Sequence, residues 1–80
     1  MADDLNEAAR AASREGNHAL AERLFHQSWK EHGNVHSAAN EVYERHLLGN
    51  ATAQEVRDAV HRHSLADGGH GQWLLRQVGP

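Results

Sequence analysis

The 80-residue chain has no cysteine, no isoleucine, one lysine (Lys30), one proline and only four Phe, Tyr and Trp rings. Without cysteine it has neither a disulfide framework nor a thiolate metal site. Leu, Val and Phe together number 14, which excludes a large core. A chain this short buries only roughly 60–65% of its unfolded surface, and multi-domain enzymes are excluded with the large core. The β-branched residues are five Val and one Thr, with no sustained period-two alternation, so a sheet is not expected. No apolar run approaches the ~18 residues of a membrane span. The net charge of −3 argues against a dedicated binder of nucleic acid or of an anionic membrane. The opening Met1-Ala2-Asp3-Asp4-Leu5-Asn6-Glu7 is acidic and lacks the basic and apolar regions of a signal peptide, so the expected location is cytoplasmic. No H-E-x-x-H, phosphate-binding loop or nucleophile elbow is present, and Ser13, Ser28, Ser37 and Ser64 stand in no such setting. The chain is therefore read as non-catalytic and without a cofactor.

What is abundant is alanine, with thirteen residues, and histidine, with eight. The alanine- and arginine-rich, lysine-poor composition suggests a GC-rich bacterial or phage genome. Apolar residues recur at spacings of three and four, the period of an amphipathic helix. Asp3 or Asp4 can cap a first helix with Leu5, Ala8, Ala9 and Ala12 on one face, ending at Gly16. Asn17 can cap a second, with Leu20, Ala21, Leu24, Phe25, Ser28 and Trp29 inward, ending at Gly33. Asn34 opens a third, with Ala38, Ala39, Val42, Tyr43, His46 and Leu47 inward, ending at Gly49. Thr52-Ala53-Gln54-Glu55 has the form of a capping box, and the fourth helix it starts shows Val56, Ala59, Val60 and His63 before Gly68-Gly69. The expected fold is all-α: one domain over residues 1–80, with hairpins at about 4–32 and 34–67, a flexible glycine-rich joint at 67–71, and an apolar tail at 72–80. That tail, with Trp73, Leu74 and Leu75, is read in two ways: as a short cap folded over the helical stack, or as an exposed docking motif.

Gly16-Asn17 and Gly49-Asn50 stand 33 residues apart, each between two helices of similar length, which is the mark of a helical repeat. Ala21-x3-Phe25, with Ser28 three residues on, and Leu5, Ala8, Ala9 and Ala12 upstream, resemble the tetratricopeptide repeat of bacterial type. The first copy carries the likeness better than the second, where Glu55 and Arg62 fall near positions that are small in the family, and Ala12 stands where an aromatic is usual. The resemblance covers about residues 4–65 and implies two antiparallel hairpins that hold a peptide or protein surface in a groove lined by the first helix of each. Carried over by position, Asn6, Arg10, Ser13, Asn40 and Glu44 would face that groove. Two hairpins leave apolar ends uncovered, so the chain is expected to find a partner protein or a second copy of itself.

His18, Glu22 and His26 lie at i, i+4 and i+8, so neighbouring members could share a metal ion, although one helix cannot bring all three to one ion because its ends are about 12 Å apart. His61 and His63 point to opposite sides of a helix, and His32 and His36 straddle Gly33-Asn34. Protonating all eight histidines would carry the charge from −3 to +5, which makes a pH-responsive oligomer an alternative. A further alternative is a DNA-binding helix-turn-helix using Arg57, His61, Arg62 and His63; Glu55 and Asp58 on the same helix weigh against it.

Overall fold

Asp3, Asn17, Asn34 and Thr52 each place a side-chain oxygen over the first free amides of a helix, and these four residues set where the helices begin. In the computed structural model, which describes residues 3–79, the elements are α1 (Asp4–Arg14), α2 (His18–His32), α3 (Val35–Leu47), α4 (Ala53–Arg62) and α5 (Gly69–Val78), with no strand among the described residues. Thr52 and Glu55 form the full capping box, each side chain meeting the other's backbone amide. Pro80, the last residue of the expected tail, lies outside the described residues, as do Met1 and Ala2.

Three helix ends use one turn. After α1, Gly16 N–H donates to Ser13 O at 3.0 Å and Asn17 N–H to Ala12 O at 2.8 Å. After α3, Gly49 N–H donates to His46 O at 3.0 Å and Asn50 N–H to Arg45 O at 2.9 Å. These paired bonds require a left-handed residue, and Gly16 and Gly49 supply it at φ 83° and 82°. After α4 the same turn forms without glycine: Ser64 takes φ 58°, and Leu65 N–H reaches Val60 O at 2.9 Å. For that reason α4 stops at Arg62 and does not run on to Gly68-Gly69, as the positions of glycine suggest.

Each helix packs chiefly on its neighbours in sequence, α1 on α2, α2 on α3, α3 on α4 and α4 on α5. Ala9, Ala12, Ala21 and Phe25 form one buried cluster, flanked by Leu20 and Leu24. Ala39, Val60, Leu65 and Leu74 form the second, flanked by Val35, Tyr43, Ala66 and Leu75. Two residues expected inward are exposed. Ala8 is turned out because α1 buries the adjoining Ala9 and Ala12, and Leu47 is the last residue of α3 and is 44% exposed.

The glycine-rich segment is mostly helix. Gly68 is the N-cap of α5, and Gly69, His70 and Gly71 form its first turn, so the expected joint at 67–71 shrinks to the residues before it. A Cβ at Gly71 would stand 1.8 Å from the Leu65 carbonyl oxygen, so the residue there has to be glycine for α5 to rest on that carbonyl. Leu74 is thereby fully buried. The tail folds back over α4, and the reading of Leu74 as an exposed docking residue is corrected.

Candidate functional site

A groove of about 620 Å³ runs along one side of the molecule, between α1, α3 and α5. α1 presents Asn6, Arg10, Ser13 and Arg14 to it, α3 presents His36, Asn40, Tyr43 and Glu44, and α5 presents His70 and Trp73; Phe25 and Asn34 complete the lining. The spacing of four and three in Asn6-Arg10-Ser13 and in His36-Asn40-Tyr43 puts each set on one helical face. Of the residues singled out from sequence, Asn6, Arg10, Ser13, Asn40, Glu44 and Trp73 line this one groove. Leu75 is half-buried against the second cluster.

Arg14, Asn34, His36, Tyr43 and His70 line the groove as well, beyond the candidates that the sequence suggests. The periodicity of α3 holds the signal for His36 and Tyr43. His70 cannot be read from the chain, because it sits in a glycine-rich segment that resembles a linker.

The groove floor is held by buried polar groups. Glu44 is 1% exposed, yet both its oxygens are used: His18 Nδ1–H donates to Oε1 at 2.8 Å and Ser13 Oγ–H to Oε2 at 3.1 Å. One carboxylate thus joins α1, α2 and α3, and its charge is met by two donors. A second network runs in one direction. Asn6 Nδ2 donates to Ser37 Oγ (2.7 Å), which donates to Ser28 Oγ (2.7 Å), which donates to the Asp3 carboxylate; Asn34 Nδ2 donates to the same Asp3 oxygen at 2.9 Å. The carboxylate can only accept, so it fixes the sense of every bond in the chain. The Ser28 and Asn34 hydrogen bonds hold the Asp3 carboxyl at about 2, below its ordinary 3.8. No buried side-chain nitrogen or oxygen among the described residues lacks a partner.

At the α5 side of the groove two imidazoles meet. His70 Nε2 lies 2.9 Å from Asn40 Oδ1, and His70 Nδ1 lies 2.9 Å from His36 Nδ1. With the amide oxygen as acceptor, Nε2 of His70 carries the hydrogen, and its Nδ1 accepts from Nδ1–H of His36. This arrangement needs the His70 ring neutral, since its Nδ1 accepts. Burial, and then the charges of His36 and Arg10, push the His70 imidazole below its usual range. Trp73 meets Tyr43 edge to face at 5.5 Å and 74°.

The three residues considered for metal are drawn apart by other partners. His18 is held by Glu44, Glu22 accepts from Arg45 Nε at 3.0 Å, and His26 Nδ1–H donates to Glu41 at 2.9 Å. Among the described residues no three His, Asp or Glu side chains are placed to hold an ion. On α4, Arg57 is tied to Gln54 and to the Gly79 carbonyl, and His63, just after the helix, packs on the Trp29 ring at 5.1 Å. No helix among the described residues is long and apolar enough to cross a membrane.

No family model, curated protein or solved structure matches this chain.

Proposed function

We propose that the protein is a non-catalytic interaction module that holds a segment of a partner protein in the groove between α1, α3 and α5. The observation that carries this reading is the convergence of three helices, separated in sequence, on one open groove whose wall combines amides, basic groups and the Tyr43–Trp73 pair. That is the mixture of a few polar anchors and aromatic area used by recognition surfaces. α1 and α3, each the first helix of a pair, are the helices that the resemblance to a tetratricopeptide array would put in a binding groove.

The test is selection from a random peptide library, with the selected peptides then added to the isotopically labelled protein. The expected result is that resonances of Asn6, Asn40, Tyr43 and Trp73 shift together, and that Tyr43→Ala weakens binding about tenfold, near 1.4 kcal/mol. A library that yields no binder, or binders that shift only residues outside the groove, would overturn the reading.

A further inference from the structure

The distribution of charge around the groove is lopsided. The chain as a whole has eleven acidic and eight basic side chains, but among the described residues Glu44 is the only acidic one on the groove wall, and its two oxygens are already taken by Ser13 and His18. With it on the wall are Arg10 and Arg14, which make no ion pair and no side-chain hydrogen bond among the described residues, whereas His36 and His70 are engaged with each other. Arg45, by contrast, is fully engaged by Glu22 and Glu41 on the other side of α3. A groove wall that is basic on an acidic protein concentrates positive potential where a ligand would lie.

The spacing of these charges says what kind of anion fits. Arg10 and Arg14 are one turn apart on the same helix face, which sets them about 6 Å from each other along α1. Alternate side chains of an extended peptide point the same way and repeat at roughly 6.5–7 Å. Two carboxylates at alternate positions therefore match the two arginines, whereas one terminal carboxylate would satisfy a single one. Beyond the arginines, Trp73, 42% exposed beside Tyr43, offers apolar area for one aliphatic side chain. Nucleic acid fits less well, because the chain as a whole carries eleven acidic against eight basic side chains, a balance unfavourable to a long phosphate backbone.

We propose that the groove binds an extended partner segment with acidic side chains at alternating positions, two of their carboxylates lying along Arg14 and Arg10 and a neighbouring aliphatic residue resting on Trp73. The proposal rests on the reading of this groove as a peptide site and names the chemistry of its ligand.

An array of short peptides with both ends blocked tests it, with the number and spacing of Glu residues and the position of one Leu varied independently. The expected result is that Glu at alternate positions binds at least about tenfold more tightly than the Gln counterpart at low salt, and that added salt erodes the difference. The paired substitution Arg10→Gln and Arg14→Gln removes that preference while leaving the helical signal and melting curve of the free protein unchanged, since both side chains are exposed. Equal binding of Glu and Gln peptides would overturn the charge assignment and leave the peptide groove standing. No binding by any array member, while library-selected peptides do shift groove resonances, would also overturn the assignment alone; failure of both experiments would remove the groove reading with it. Preferential binding of a single-stranded oligonucleotide over the Glu peptides would overturn the proposal in favour of nucleic acid.

Discussion

Between α1, α2 and α3 the helices meet through alanines and hydroxyl groups, whereas between α3, α4 and α5 they meet through branched aliphatic side chains. In the first region Ala9, Ala12 and Ala21 let the backbones approach, Phe25 is the one buried ring among the described residues, and the Asn6–Ser37–Ser28–Asp3 chain fixes how the helices are aligned. In the second, Val56, Val60, Leu65 and Leu74 share the volume, and the close approach is concentrated at one atom pair, Gly71 against the Leu65 carbonyl. The same scarcity of large residues is thus met in two ways. One region depends on a single ring plus hydrogen bonds that only one geometry satisfies; the other spreads its burial over several side chains and depends on one missing Cβ.

This contrast is sharpest at Phe25. Phe25→Ala leaves a cavity walled by alanines that cannot reach across it, so the expected loss is about 4 kcal/mol, close to the whole stability of a domain this small. Urea unfolding followed by helical circular dichroism checks it, and a loss below about 2 kcal/mol would show that the alanine region is not organised around that ring. Gly71→Ala comes next. Its Cβ cannot coexist with the Leu65 carbonyl, so α5 has to lift or shift, at an expected cost of about 3 kcal/mol. The loss should be local at first: Trp73 leaves Tyr43 and its emission shifts to the red while α1–α3 keep their helical signal. Simultaneous loss of both signals at one midpoint would mean that the two regions are a single cooperative unit.

Much of this fold is legible in the order of residues alone. Asp3, Asn17, Asn34 and the Thr52–Glu55 box are local signals, each satisfied within three residues of itself, and they mark the helix starts. The features that escape such a reading are a turn made without its usual residue and contacts made only once the chain has folded back. Ser64 adopts a left-handed turn that its residue type does not advertise, so α4 ends earlier than the glycines suggest. Gly69-His70-Gly71 has the composition of a linker, and only the contact between Gly71 and Leu65 explains why it is the start of a helix. The site divides in the same way: residues on one helical face can be grouped from spacing, but His70 reaches Asn40 across 30 positions of sequence, through a fold-back that composition does not disclose.

The hydrogen-bond chain of the first region provides a weaker test. Ser28 is fully buried, and Ser28→Ala removes both the donor to Asp3 and the acceptor for Ser37, for an expected loss of about 2 kcal/mol. It also carries a signature in acid. Because Asp3 ionises more readily in the folded protein than in the unfolded chain, its contribution is present above 3.8 and is lost as pH falls through about 2. In Ser28→Ala the Asp3 carboxyl should move back up toward 3.8, as read by carboxyl-carbon resonances, and part of the acid limb of stability should vanish with it. An unmoved Asp3 titration would show that Asn34 alone holds the carboxylate.

The smallest expected effect belongs to the second region and is read near neutral pH. His70 is pushed below the usual histidine range first by its burial and then by the charges of His36 and Arg10, so folding favours the neutral ring that accepts from His36. A group lowered in this way contributes fully above its unfolded value of 6.5, and the contribution is lost as pH falls through the lower folded value. Acidification from about pH 7.5 to about pH 5.5 should therefore loosen α5 by less than about 1 kcal/mol, since the ring is partly exposed. His70→Gln removes the titrating ring, so the wild type should lose more stability than the variant over that interval, with the difference confined to the Trp73 emission and absent from the α1–α3 helical signal. Parallel pH profiles for the two proteins would show that the imidazole pair does not fasten α5. A difference that appears equally in both regions would erase the division drawn between them.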